Sequence, residues 1–394
     1  MHWFCAMLPL KIYQYYLPVI ILLLPSVKTG LGFEYSVIPA LFASVIGLIT
    51  YSFRPSMTFI EFVAILIAVL SFIVAVLLNN IDGVKEAMFF ITLSAGVLYA
   101  RVANNDSVAL LAERLLLIYC VVGLADIFVP GFSSVKLLFL TRSFVENVGV
   151  RGVSSLATEP SYFVLVVFSL WMLHYSSRGF THITHRFFIV GLVCMLISKS
   201  SMAILVFPLF IISSGISYKK LTIISMLVLV FFSFWQINQY QYSYRFMQFL
   251  MLLGNGYDAV LLDQSSGSRL LYIIKDLYLS FQLFLLPFGP ATYESLISLS
   301  DIPRMFVTPA GFKYNILQSG SLAGRFLVEY GAFFIIAIGF IFFKTVRRIG
   351  SMRSLLITAF MVSILFQMIS LVFAPIAFSF GGWFFYVLYG RRCR

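Results

Sequence analysis

Apolar runs of about 16 to 22 residues, separated by short polar turns, recur along most of this chain. A helix of that length crosses a hydrocarbon core of about 30 Å. The ten-residue alternation of a membrane β-barrel is absent, so the pattern predicts helices. About twelve spans follow. The first five are Leu10–Val27, Phe33–Phe53, Met57–Leu78, Ala87–Val102 and Val108–Val129. The next four are Glu159–Tyr175, Phe187–Ser198, Ser201–Ile216 and Leu221–Gln236. Arg325–Phe343, Ser354–Phe373 and Pro375–Tyr389 complete the set. Residues 130–158 form one outer loop, and residues 237–324 form a much larger one. Within the larger loop, Arg269 to Leu286 repeats apolar residues at helical spacing (Leu270, Ile273, Ile274, Leu277, Phe281, Phe284). Lys275, Asp276 and Gln282 fall on the other side, so the stretch reads as a helix lying in the membrane interface. Pro287-Phe288-Gly289-Pro290 ends it.

Composition agrees. The 394 residues are 61% hydrophobic and 11% charged, with a mean hydropathy of +0.99. A soluble domain carries roughly 25% charged residues. The expected fold is therefore all-α, a single integral membrane domain over residues 1–394. Met1 to Pro9 lacks a basic n-region, so the first span is expected to be retained rather than cleaved. Cys5, Cys120, Cys194 and Cys393 show no paired spacing, and His2, His174, His182 and His185 show no ligand pattern. Neither a disulfide framework nor a metal site is expected. No GxxxxGK[ST], HExxH, DxD or GxSxG motif occurs, which leaves ATP hydrolysis and zinc chemistry without residues.

The net charge of +12 is topological rather than a nucleic-acid signal. Lys11, Arg54, Arg101, Arg178, Arg186, Lys219, Lys220, Lys344 and the arginines near the C-terminus fall in turns on one face. The short turns of the other face hold only Lys28, Lys85 and Lys199. The excess of cations makes the first face cytoplasmic, with both termini inside and both long loops outside.

The candidate chemistry collects in those outer loops. Arg151 and Gly152 precede Thr158-Glu159-Pro160-Ser161-Tyr162, where Thr158 can cap the sixth span and Pro160 suits a first helical turn. Glu159 then sits at the positive end of a helix dipole, and a helix-start role alone would also account for it. Arg151 offers a guanidinium that binds phosphate bidentately, or that simply contacts lipid headgroups. Gly267-Ser268-Arg269 begins the interfacial helix, so that its N–H groups and Arg269 can face one anion. Arg245 is a further cation near the end of the ninth span. Ser198-Lys199-Ser200-Ser201 reads as a turn. Arg325 and Glu329 lie four apart on one helical face and can pair with each other.

Several of these stretches, in this order, resemble the Wzy-type O-antigen and capsule polymerases. They are Arg151-Gly152 leading to Glu159-Pro160-Ser161, Leu196 to Ser201, Gly267-Ser268-Arg269, Leu286 to Gly289, and Gly320-Ser321-Leu322 through Gly331, within roughly residues 140 to 340. The resemblance implies a bacterial inner-membrane glycosyltransferase that needs no metal or cofactor. It would move a growing glycan from undecaprenyl pyrophosphate to a new lipid-linked repeat unit on the periplasmic side. Arg151 and Arg269 would neutralise the leaving pyrophosphate, and Glu159 would activate the acceptor hydroxyl. Gly152, Ser161, Tyr162, Arg245, Ser268, Tyr272, Lys275 and Arg325 would contact substrate. The implied partners are the lipid-linked oligosaccharide, membrane lipids and a chain-length regulator protein. The alternatives are a lipid-oligosaccharide flippase, which would carry its charges mainly within spans, and an O-antigen ligase, which relies on a loop histidine that residues 237–324 lack.

The cation asymmetry makes a direct prediction. A reporter active only outside the cytoplasm should be active when fused at Gly267 and silent at Tyr218; the reverse pattern overturns the orientation.

Overall fold

The computed structural model describes residues 18–22, 58–79, 81–132, 135, 152–157, 159–200, 202–215, 264–290, 292–300, 305–307, 313–315, 321–349, 351–367 and 374–390. The expected second and ninth spans, most of the first, Arg151 and Arg245 lie outside them.

The described chain is built of helices with one short ribbon. The first six helices are α1 (Phe59–Leu78), α2 (Ile81–Val102), α3 (Asn105–Phe128), α4 (Pro160–Ser177), α5 (His185–Ser198) and α6 (Met202–Ser213). They are followed by α7 (Gln264–Gln282) and α8 (Tyr293–Leu299). Strands β1 (Met305–Val307) and β2 (Lys313–Asn315) pair antiparallel, Phe306 opposite Tyr314. The chain ends with α9 (Leu322–Tyr330), α10 (Ala332–Ile349), α11 (Ser351–Gln367) and α12 (Ala374–Tyr389). Helices α1, α2 and α3 are long and apolar enough to cross a membrane.

Helix ends follow local chemistry. Thr58 and Glu61 form a reciprocal capping box at the start of α1. Asn104 accepts from the Asp106 amide ahead of α3, and Thr184 accepts from Phe187 ahead of α5.

Helix α1 is sided in the sense a lipid-facing helix requires. Ala64, Ala68, Ser71 and Ala75 face inward, while Phe59, Phe62, Phe72, Val76 and Leu77 are exposed. Small residues allow close helix contact, and large apolar ones meet hydrocarbon. On α10, Phe333, Ile336, Phe340 and Phe343 are likewise exposed.

The centre is α12, packed on α2 on one side and on α4 on another. A methyl added to Gly96 would stand 1.9 Å from the Phe378 carbonyl oxygen, and one on Gly381 would stand 2.0 Å from that of Leu93. The two backbones therefore touch, which only glycine permits. Beside this seam Trp171 stacks on Trp383 at 5.7 Å and donates its indole N–H to Ser213 at 2.8 Å, joining α4 to α12 and α6. Cys120 and Cys194, unrelated by spacing, come together between α3 and α5, where the Cys194 thiol lies 4.0 Å from the Leu116 carbonyl oxygen.

Polar contacts tie the helix ends. Arg101 meets Glu61 at 3.1 Å, Tyr386 donates to Asn105 at 3.0 Å and Thr184 to Glu113 at 3.0 Å. At the opposite end, Val153 donates to Ile197 at 3.1 Å and Tyr330 donates to Glu86.

Two expectations change. Helix α2 begins at Ile81 rather than at Ala87, and it carries Glu86 inside it, fully buried. The span expected over Arg325–Phe343 is broken at Gly331, which has φ +53°. A methyl there would lie 2.1 Å from the Leu285 carbonyl oxygen, which instead accepts from Ala332 N at 2.8 Å. The turn that follows α7 thus occupies the space a continuous helix would need.

Gly96→Ala should lower the thermal stability of the full chain in detergent, an overpacking cost of about 1–3 kcal/mol. Gly339→Ala, where nothing lies within 4 Å of the added methyl, should be neutral or stabilising by up to about 1 kcal/mol. Equal effects at the two positions would remove the α2–α12 seam from the stability of the fold.

Candidate functional site

The residues singled out in the sequence assemble into two groups. In the first, residues 152–157 are wedged between α3 and α5. Gly152 has φ +83°, and a methyl on it would meet the Ser198 carbonyl oxygen at 2.0 Å. Ser155 is buried and donates to the Tyr119 carbonyl at 2.7 Å. The last part of the expected outer loop is therefore packed into protein, and its motif touches the turn at Ser198-Lys199. Lys199 adopts a left-handed conformation with φ +48°, and burial pulls its ammonium below the usual lysine range.

Glu159 is the N-cap residue of α4 itself, one position earlier than a first-turn residue, with Pro160 at the helix start. Its side chain makes no capping hydrogen bond. It is half-buried, and among the described residues the Ser161 hydroxyl donates to Oε2 at 3.5 Å. Capping therefore does not employ the carboxylate. Tyr162 is half-buried and packs against the core.

The second group lies where α7 and α8 meet α9, which in turn touches α2 through Phe326 and Tyr330. Gly267, Ser268 and Arg269 do not head α7, which starts at Gln264. Their amides fall within the helix, where N–H groups bond carbonyls four residues back, so the expected anion cradle of free N–H groups does not form there. Position 269 stands about one and two turns before Tyr272 and Asp276 on the same helical face.

Helix α7 is amphipathic, and its charged side is turned into the protein. Lys275 and Asp276 are buried, Asp276 completely, while Ile274, Tyr278 and Phe281 are exposed. Its charged side faces protein and its apolar side faces outward. Asp276 receives the Tyr293 hydroxyl, and Lys275 Nζ lies 3.5 Å from its carboxylate. A methyl at Gly324 would sit 2.3 Å from Asp276 Oδ2, so glycine is what lets α9 approach. Lys275 and Arg325 both lie over the Tyr293 ring, at 5.3 and 5.8 Å from its centroid. Lys275 also lies 5.0 Å from the Tyr272 ring. Arg325 Nε bonds Glu329 Oε1 at 3.1 Å, the pairing the four-residue spacing predicts, and the Tyr293 amide donates to the same oxygen at 3.3 Å. The Phe288 and Gly289 amides donate to the Glu329 carbonyl at 3.0 and 2.9 Å.

Burial pushes the Lys275 ammonium down, with Asp276 opposing, and pushes the Tyr272 phenol up, with Asp276 adding to the effect. Chemically, the group is a set of compensated charges: an anionic ligand would have to displace a carboxylate to reach Lys275 or Arg325.

Lys275, Tyr272 and Arg325 are thus brought together, while Gly152, Glu159, Ser161 and Tyr162 form the other group. Sequence reasoning missed Tyr293 and Glu86. Tyr293 follows a Pro/Gly turn and has no pattern to mark it; Glu86 was visible as a carboxylate at the edge of an apolar run. No family model, curated protein or solved structure matches this chain.

Lys275→Met should destabilise the protein by about 3–5 kcal/mol by leaving Asp276 as an uncompensated buried charge. The Lys275→Met/Asp276→Leu double variant should lose less than the sum of the single losses, by at least about 0.5 kcal/mol. Additive losses in thermal unfolding would show that the two groups act independently.

Proposed function

We propose that this chain is a membrane glycosyltransferase that polymerises lipid-linked oligosaccharide repeat units, moving the growing glycan from undecaprenyl pyrophosphate to a fresh unit. The supporting observation is the seating of Gly152 against Ser198. Two stretches that carry the resemblance, far apart in sequence, are in contact. Glu159, just after residues 152–157 in the chain and unused as a cap, has the acid–base group that an acceptor hydroxyl needs. The ordered helices α7 and α8 within residues 237–324 suit an enzyme that must position a glycan. The exposed apolar side of α7 suits a donor whose lipid arrives through the bilayer. In this reading the chain has about twelve spans, with both termini cytoplasmic and the site on the periplasmic side of the inner membrane.

The steps are simple. Arg151 and Arg269 neutralise the departing pyrophosphate, Glu159 accepts the proton of the attacking hydroxyl, and the new glycosidic bond forms as the bond to phosphate breaks. The energy is already in the pyrophosphate ester, so no nucleotide is needed. A lipid-oligosaccharide flippase remains the second reading, favoured by the charge of Glu86 buried inside α2.

The test is polymer formation from a defined lipid-linked repeat unit by the purified chain. Arg151→Ala and Arg269→Ala should abolish polymer at unchanged protein level, and lysine should rescue poorly because it lacks the planar fork. Glu159→Gln should slow transfer by about 10²–10⁴-fold. Failure of the wild type to make polymer, with movement of the intact substrate across vesicles instead, favours the flippase.

A further inference from the structure

We propose that Lys199, at the turn between α5 and α6, binds the pyrophosphate of the lipid-linked donor. The substrate is taken from the glycan-transfer reading; the geometry is that of the turn itself.

This turn is where residues 152–157 meet the end of α5. A methyl on Gly152 would stand 2.9 Å from Lys199 Cβ as well as 2.0 Å from the Ser198 carbonyl oxygen. Beside it Val153 donates to the Ile197 carbonyl. The root of the lysine side chain therefore lies against the stretch that leads to Glu159 at the start of α4.

The backbone of the turn is held without the lysine side chain. The Lys199 amide donates to the Leu196 carbonyl at 3.3 Å, the Ser200 amide to Ser198 Oγ at 3.4 Å and the Met202 amide to Ser200 Oγ at 3.3 Å. Lys199 ends α5 with φ +48° and ψ +24°. Glycine or asparagine adopts that left-handed conformation readily, whereas a lysine there pays a steric penalty. A cation kept at a backbone position that favours glycine has its use in the side chain.

Lys199 is half-buried, and that burial draws its ammonium below the usual lysine range. A partly desolvated ammonium attracts an anion more strongly than one in bulk water. When the bond between sugar and phosphate oxygen breaks, its electron pair stays on the pyrophosphate. Lys199 stabilises that added charge.

Two measurements on the purified full-length chain test this. Inorganic pyrophosphate should raise the thermal unfolding temperature of the wild type and slow polymer formation from a lipid-linked repeat unit. In Lys199→Gly and Lys199→Asn pyrophosphate binding should weaken by about 10- to 100-fold. Without pyrophosphate both variants should unfold at or above the wild-type temperature, because they suit the left-handed backbone; if one does not fold, the other carries the test. Lys199→Arg should keep most of the binding. A wild type that pyrophosphate does not stabilise, or binding unchanged in both neutral variants, overturns the role. So does a loss confined to stabilisation by phosphatidylglycerol over phosphatidylcholine nanodiscs, which would make Lys199 a lipid-headgroup contact. A wild type that binds pyrophosphate through Lys199 but makes no polymer overturns glycan transfer and leaves the anion site standing.

Discussion

Taking a carboxylate out of water into an apolar helical protein costs several kcal/mol unless something nearby replaces the lost hydration. Asp276 and Glu329 are both fully buried, and the surrounding structure is arranged around that constraint. Asp276 is met by a lysine, a phenol and a glycine that admits it; Glu329 is met by an arginine and a backbone amide. Tyr293 contributes to both, donating its hydroxyl to one carboxylate and its amide to the other, with both cations over its ring. This is why α8, only seven residues long, is held against α7 and α9, and why Phe288 and Gly289 can turn the chain over the end of α9.

The same group explains the siding of α7. Its charges are satisfied only from the protein side, so its apolar residues are left outward, where exposed Phe284 and Phe288 continue the surface. In water such a helix would be unstable; against hydrocarbon it is the favoured arrangement. Helices α1 and α10 follow the same rule. The inner packing rests on glycine instead: α2 and α12 touch along Gly96 and Gly381, and dispersion at that distance replaces the hydrophobic drive that lipid cannot supply.

Much of the helical framework was legible. The starts of α3, α4 and α5 lie within a few residues of the apolar boundaries; Pro160 marked the start of α4, and the structure adds Asn104 and Thr184 as the caps of α3 and α5. The Arg325–Glu329 pair was legible from spacing alone. What misled was polarity taken at face value. Asp276 and Lys275 look like a solvated edge, and Glu86 looks like a residue outside a span, since a sequence displays a charge without its partner. The start of α7 was misplaced for a similar reason: Gly267-Ser268-Arg269 has the look of a helix entry, yet the helix runs through it.

Apolar run lengths, cap residues and the share of charge determined by themselves that this chain is a helical protein with helices able to cross a membrane, because burial of backbone polar groups in hydrocarbon leaves few other solutions. They also placed the candidate residues in order. Only the tertiary structure decided which distant residues meet: Gly152 with Ser198, Cys120 with Cys194, Glu86 with Tyr330, Lys275 and Arg325 over Tyr293. It also decided the break at Gly331, where the carbonyl of Leu285 fills the path of a continuous helix. Such contacts depend on the distance between atoms far apart in sequence, and local patterns of hydrophobicity hold no record of that distance.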